Sequence, residues 1–426
     1  MAEFFNVLPP AAARAEWLAQ VHHRTPAAPD PEAITRAIYS AQPVVVDAAP
    51  SPEDLPAFPR STVDGYAVRA ADTFGASDAL PAYLTLAGEA RMGERPTVRV
   101  ESGQAVLIHT GAMLPDGADA VVMVENTQQA GEAEIEVLRR VAPGENVLQI
   151  GEDVRRGDPV LRPGLPLRPQ DIGALMALGF GASGRPLSIR QPPRLAIFST
   201  GDEVISPTET PQPGQIRDIN TFTIAAQAAR AGAVPDARGI IPDRPDALLE
   251  ALRLALAPPG AADLVVVTAG SSVSVRDMTA DVINRLADEF GGPGVLVHGV
   301  AMKPGKPTIL AAVGGKAVLG LPGNPVSAMV AFWLFGVPAI AHTMGASLPV
   351  QPRAQATLTA NLPSTAGRED YVAVTLAEQA DGSLLATPIF GKSNLIFTLV
   401  RADGLARVPL NATGLRAGEP VEVFFF

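Results

Sequence analysis

The sequence predicts a multidomain α/β protein, with a doubly wound α/β domain in its second half and small β-rich units on either side. Three observations carry this reading. From Arg194 onward, continuous apolar runs such as Leu195–Phe198 and Leu264–Val267 alternate with helical stretches, the pattern of strands covered on both faces. Before and after that region the apolar runs are short, alternating and separated by Gly, Pro and Asp. The length of 426 residues exceeds one typical domain, and an apolar content of 47% suffices for several cores.

The elements follow in order. Glu16–Val21 and Pro31–Ile38 read as short helices, and the four prolines of Pro50–Pro59 impose an extended connection. Tyr83–Gly88, Gln104–His109, Ala120–Glu125 and Glu134–Leu138 supply the strands of the first β-rich unit. Asp171–Leu178 is a helix stopped by Gly179. In the α/β region, helices over Thr223–Ala231, Pro245–Ala257 and Asp277–Phe290 separate the strands, and Val295–Val300, Thr308–Ala312 and Ala317–Leu319 add to the sheet. An apolar helix over Val326–Ile340 closes the domain. Short alternating runs return at Ala354–Thr359, Tyr371–Leu376, Leu384–Thr387, Ala406–Pro409 and Val421–Phe426.

Composition narrows the function classes. The net charge is −11, without basic tracts, a poor match to nucleic acid. With no cysteine and five scattered histidines, disulfides, thiolate chemistry and a His-based zinc site are disfavoured. Met1–Pro10 has neither the basic nor the apolar stretch of a signal peptide. The uncharged run after Lys316 is interrupted by Pro322, Pro325 and Pro338. Its proline-free part, Val326–Val337, would span about 18 Å as helix against about 30 Å of hydrocarbon, so it reads as a buried helix. The expectation is a cytoplasmic protein that binds neither membrane nor nucleic acid.

The charge is unevenly spread. No Asp or Glu lies between Glu289 and Glu369, a stretch that keeps Lys303, Lys306, Lys316, Arg353 and Arg368. Two of the chain's four lysines stand in Lys303-Pro-Gly-Lys306, on a backbone stiffened by Pro and Gly. Lysine is a compact point charge for phosphate-like anions, so this loop reads as an anion site rather than a solvated turn. In Gly320-Leu-Pro-Gly-Asn-Pro325 a rigid turn runs straight into a helix. Ser327 there reads either as part of an anion site at a helix start or as simple capping.

In doubly wound sheets ligands sit beyond the carboxyl ends of the strands. Those positions hold Ser199-Thr200-Gly201-Asp202-Glu203 and Thr268-Ala269-Gly270-Ser271-Ser272, either tight turns or anion-cradling loops. Glu203, Asp243 and Asp277 stand in loops or at helix starts, where they read as caps or as oxygen ligands for Mg²⁺. Ser61-Thr-Val-Asp64-Gly-Tyr66 and Gly151-Glu-Asp153 pair an acid with glycine outside the α/β region.

Five motifs in order carry a resemblance: Ser61-Thr-Val-Asp-Gly-Tyr-Ala-Val68, Gly151-Glu-Asp-Val154, Phe198-Ser-Thr-Gly-Asp-Glu203, Lys303-Pro-Gly-Lys-Pro307 and Gly320-Leu-Pro-Gly-Asn-Pro-Val-Ser327. Together with Gly367-Arg-Glu-Asp-Tyr371 and Gly391-Lys-Ser-Asn394, the chain closely resembles the molybdopterin molybdenumtransferase family that includes MoeA and the gephyrin E-domain. The resemblance implies four parts: a linker domain from 1–60 and 141–190, a small β-rich inserted domain over 61–140, a molybdopterin-binding-like α/β domain over 191–346 and a C-terminal β-barrel-like domain over 347–426. It implies a homodimer with the cleft between subunits, and molybdopterin adenylyltransferase and downstream molybdoenzyme maturation factors as partners. The implied reaction inserts molybdate into adenylylated molybdopterin, with Mg²⁺-dependent cleavage of the diphosphate and release of AMP.

The resemblance also implies roles. Asp64, Asp153, Glu203 and Asp277 are the expected catalytic acids, and Glu203, Asp243 and Asp277 the expected Mg²⁺ ligands. Substrate binding is expected from Thr110, Ser199, Thr200, Gly201, Gly270, Ser271, Ser272, Lys303, Lys306, Pro322, Gly323, Asn324, Pro325, Ser327, Arg368 and Ser393. Asp64, Thr110 and Asp153 are expected from the partner subunit. Ala269, Ser271 and Arg276 depart from the family pattern in the expected substrate loop. Two alternatives predict different readouts: nucleotidyl transfer would release pyrophosphate from ATP, and a non-catalytic scaffold would bind pterin without turnover.

Overall fold

The computed structural model describes residues 7–26, 44–46, 49–180, 188–269, 273–347 and 351–426. The predicted helix at Pro31–Ile38 and the expected substrate residues Gly270, Ser271 and Ser272 lie outside them. The chain forms two compact units, one drawn from Met1–Asp47, Pro163–Ile172 and Gly181–Phe426, the other from Ala48–Arg162 and Gly173–Phe180.

The first unit begins with helix α1, Pro10–Leu18, which starts earlier than its apolar run suggested because Pro10 suits a first helical turn. Its central sheet has strands β1 (Arg194–Thr200), β2 (Val234–Ile241), β3 (Leu264–Ala269), β4 (Gly294–His298), β5 (Ile309–Val313) and β6 (Lys316–Pro322), in the order β2-β1-β3-β6-β5-β4. Helices α2 (Asn220–Arg230), α3 (Pro245–Leu256) and α4 (Val273–Phe290) are the connections that parallel pairing requires. Alternate residues of one strand bury to opposite layers. Leu195 and Ile197 join a core with Trp17 and Phe335, while Ala196 and Phe198 join one with Leu252 and Ile283.

The sheet is mixed rather than wholly parallel. β5 and β6 pair antiparallel, as do β4 and β5. Only Gly314 and Gly315 separate β5 from β6, both at positive φ (58° and 74°), the conformation of a tight hairpin turn. A connection that short excludes a parallel crossover.

The apolar helix α5 covers Pro325–Thr343, longer than the proline positions suggested and long enough to cross a membrane. Its most apolar window is 83% buried inside the protein, so the buried-helix reading rests on packing and not on length. The helix passes Pro338 through a π turn at Phe332–Gly336. Pro338 has no N–H to give to the Leu334 carbonyl, which instead accepts from the Arg14 guanidinium at 3.4 Å. Helix α1 is fastened again where Trp17 Nε1 donates to the Ala311 carbonyl at 2.7 Å.

The C-terminal part of this unit has strands β7 (Arg353–Leu358), β8 (Glu369–Glu378), β9 (Leu384–Pro388), β10 (Gly404–Val408) and β11 (Pro420–Phe424). They run β8-β9-β7-β11-β10, and β10 pairs back onto β8, closing a barrel without free edges. The two-residue strand Met302–Lys303 joins this barrel by parallel pairing with Glu369–Asp370. That pairing ties the lysine loop of the α/β domain to the barrel.

The second unit is β-rich. Its six-stranded sheet includes Gly65–Val68, Ala82–Ala90, Gln104–Ile108, Ala120–Met123 and Glu134–Val137. Its faces bury two clusters, one around Ile108 and Val121 and the other around Leu84 and Ile135.

Candidate active site

In the first unit, a cavity of about 740 Å³ lies where the lysine loop, the start of α5 and the barrel meet. Lys303, Lys306, Ser327, Arg368, Lys392 and Ser393 all line it. Each is placed by a local device. Gly305 stands at φ 107°, and a Cβ there would come within 2.8 Å of Met302, so the loop needs glycine. Thr308 Oγ1 donates to the Gly305 carbonyl at 2.7 Å, and Val300 N donates to the Lys306 carbonyl at 2.8 Å, so the backbone beneath both ammonium groups is held. Both lysines remain exposed to water.

At the start of α5, Pro325 occupies the first turn as expected. The Asn324 side chain does not cap its own helix. Its Nδ2 donates to Ser393 Oγ at 3.0 Å, which leaves the Ser393 hydroxyl proton free to point into the cavity. Val326 N donates to the Ser393 carbonyl at 3.1 Å, so part of the helix end is spent on holding this barrel loop. Asn220 Nδ2 grips the Gly323 carbonyl at 2.8 Å and steadies the Pro322-Gly323-Asn324 turn. Arg368 is held side-on by Asp370, Nε to Oδ1 at 2.8 Å and Nη2 to Oδ2 at 3.2 Å.

The acid corner lies at the carboxyl ends of β1 and β2. Gly201 has φ 141°, and a Cβ there would meet Glu203 Oε2 at 2.7 Å. The Asp243 N–H donates to Asp202 Oδ1 at 3.3 Å. Burial raises the Asp243 carboxyl above its ordinary range; the nearby Thr200 hydroxyl opposes this, and the charges of Asp202 and Glu203 add to it. Asp243 Oδ1 and Thr200 Oγ1 are both buried without a well-formed hydrogen bond. Buried, mutually repelling and partly unsatisfied oxygens suit a hard cation such as Mg²⁺, which takes few carboxylates and keeps its other positions for water and phosphate. Among the described residues no cluster supplies a complete metal-binding set from the protein alone. Asp277 lies in a separate shallow groove with Pro245, Asp281, Arg285 and Asp288.

Ser199 departs from expectation. It is 2% exposed, its hydroxyl donates to Asp218 Oδ1 at 2.9 Å, and it lies 3.0 Å from both Thr221 and Thr268. It therefore fastens β1 to β3 and α2 instead of facing a ligand.

In the second unit, Thr110 donates to Asp64 Oδ1 from its N–H at 2.8 Å and its hydroxyl at 3.2 Å. The Thr110 N–H is the main cause that holds the Asp64 carboxyl below its ordinary range. His109 lies between Asp64 and Glu89, at 3.6 and 3.5 Å. Asp153 is exposed, with its N–H on the Leu55 carbonyl. Sequence reasoning missed His109, Lys392 and Asp370 as site neighbours, although each is within two residues of a residue it did select.

Three stretches match family models: 8–179 the MoeA N-terminal region (domain I and II), 196–342 a probable molybdopterin binding domain, and 355–426 the MoeA C-terminal region (domain IV). The chain is 34% identical over 377 residues to molybdopterin molybdenumtransferase 2 of Mycobacterium tuberculosis, covering 88% of this chain and 90% of that one. It is 34% identical over 373 residues to the molybdopterin molybdenumtransferase of Bacillus subtilis, covering 87% and 84%. A crystal structure of the molybdopterin biosynthesis MoeA protein from Pyrococcus horikoshii superposes with a TM-score of 0.79 at 29% identity, over 99% of this chain and 100% of that one.

Proposed function

The chain belongs to the MoeA family of molybdopterin molybdenumtransferases, and from that premise we propose how its own residues carry the transfer. It is a transferase of molybdenum cofactor biosynthesis that inserts molybdate into molybdopterin. The proposed detail is that adenylylated molybdopterin is the substrate. Water attacks one phosphorus of its diphosphate, the P–O–P bond breaks, AMP leaves with one phosphate, and the pterin keeps the other.

The observation that carries this reading is the cavity in which Lys303, Lys306, Arg368 and Lys392 meet the Ser327 and Ser393 hydroxyls. Molybdate is a tetrahedral dianion, and fixed cations with hydroxyl donors suit its charge and shape. Glu203 and Asp243 would hold Mg²⁺, whose charge would offset that of the diphosphate. We further propose a cytoplasmic homodimer in which Asp64, Thr110 and Asp153 of a second copy complete the cleft.

The test is turnover. Purified protein should release AMP from adenylylated molybdopterin only with molybdate and Mg²⁺. Lys303→Ala and Lys306→Ala should each lower kcat/KM for molybdate by about 100-fold, the scale of losing a charge–charge contact. No AMP from the native protein, with pterin binding unchanged in both variants, would end the proposal. Mixing Asp64→Ala with Lys303→Ala subunits should restore turnover that neither has alone, and failure to do so would remove the shared-cleft element.

A further inference from the structure

We propose that Asp370 is a positioning residue for the oxyanion, acting through Arg368. This rests on the reading that the cavity holds molybdate. Arg368 and Asp370 stand two residues apart where the chain enters β8, and residues at that spacing share one face of a strand. Both line the cavity. Tyr371, which also lines the cavity, donates its hydroxyl to Glu369 at 2.7 Å. The strand is pinned beneath them: Asp370 is the register partner of Lys303, and Glu369 N donates to the Ala301 carbonyl at 2.9 Å. The carboxylate that grips the arginine is thus built into the same strand pair as the lysine loop.

Charge alone argues against an acid at this place. A carboxylate among Lys303, Lys306, Arg368 and Lys392 weakens the field that an incoming dianion meets. Its advantage must be geometric. A guanidinium has five N–H donors, and Asp370 takes one from Nε and one from Nη2. Both Nη1 protons and one Nη2 proton remain, along an edge that suits two oxygens of a tetrahedral anion. The Asp370 side chain is 3% exposed and that of Arg368 is 34% exposed, so the grip is buried and the free edge is open. An arginine already held in one rotamer loses less freedom when it binds.

The experiment measures molybdate binding by calorimetry, and the KM values for molybdate and for adenylylated molybdopterin, in native protein and in Asp370→Asn. The positioning role predicts molybdate Kd and KM raised about tenfold, with the pterin KM within about twofold of native. It also predicts that Asp370→Asn has no further effect on an Arg368→Ala background. Equal or tighter molybdate binding by Asp370→Asn overturns the proposal, since that is what removing a repulsive charge would do alone. So does an undiminished loss on the Arg368→Ala background. If Asp370→Asn melts at lower temperature, Arg368→Lys decides: lysine keeps the charge but lacks the planar fork that lets Asp370 grip one edge while the other faces the anion. Molybdate binding should then fall about tenfold, and native binding by that variant overturns the proposal. Native protein that binds molybdate without releasing AMP would fault the reaction, while the binding comparison still judges Asp370.

Discussion

The cation cavity around Lys303 and the acid corner around Asp243 lie in one compact unit but were made in opposite ways. In the cavity the backbone is held by Gly305, Thr308 and the barrel strand, while the charged ends of Lys303 and Lys306 stay in water. In the acid corner Asp202 and Glu203 stay exposed, while Asp243 is half-buried and repelled by both, and its Oδ1 and Thr200 Oγ1 lack a well-formed hydrogen bond. Exposed cations cost little to keep and are ready for an anion that arrives from solvent. A half-buried acid beside two other carboxylates is costly to ionise, and a cation relieves that cost. Mixed together, the two sets would neutralise each other as salt bridges. Their separation keeps each available to its own ligand.

The comparison breaks most severely if the cavity is given an acid. Lys306→Glu should lower kcat/KM for molybdate by about 1000-fold, because it removes an attraction and adds a repulsion. The titration of Asp243, followed by NMR, should not move. A shift there would mean that the two regions are not electrically separate.

A change in the shared core should move neither region. Trp17→Phe leaves the buried Ala311 carbonyl without its indole donor and should cost about 2 kcal/mol of stability by denaturant unfolding. The KM for molybdate and the Mg²⁺ requirement should stay at native values.

Asp243→Asn sharpens the contrast through pH. Because its carboxyl is raised in the folded chain, the folded state holds that proton more tightly than the unfolded state. The ionised group therefore lowers stability above the raised value, and the deficit fades as pH falls through it toward the ordinary 3.8. Melting temperatures should show Asp243→Asn more stable than native at neutral pH, with the advantage shrinking in acid. Mg²⁺ should raise the melting temperature of the native protein and not that of the variant.

The smallest effect concerns Asp64, an acid of the opposite kind. Its carboxyl is lowered by hydrogen bonds that outweigh the raising effect of burial. Thr110→Val removes the hydroxyl but keeps the backbone N–H, the larger cause, so NMR should find only a slight upward move of the Asp64 titration. A move above the ordinary carboxyl range would show that burial governs Asp64 as well.

Much of the architecture was legible in sequence. The buried strand Leu195–Phe198, the helix before Gly232 and the alternating barrel strands follow from periodicity and from glycine stops, which are local properties. The mixed sheet was not read from the sequence, although the two glycines that the structure places between β5 and β6 allow only a hairpin. The length of α5 was not legible, because the chain passes Pro338 only with help from Arg14, more than 300 residues away in sequence. The inward turn of Ser199 was hidden for the same reason, since its partners come from β3 and the start of α2.

The sequence by itself determined the chemical inventory and its local stiffness. Two lysines on a Pro-Gly frame, the acid-free stretch and the ordered motifs named an oxyanion-handling family before any fold was known. Which groups face a ligand was decided only by tertiary structure. Asp370 is an ordinary strand residue until pairing with Lys303 and the grip on Arg368 bring it to the cavity. Ser199 and Ser393 are alike as sequence until one is buried in a hydroxyl network and the other is held by Asn324 at the cavity wall. The physical reason is range. Backbone preferences act over a few residues and are written in the chain, whereas burial and hydrogen-bond partnership are set by neighbours that only folding brings close.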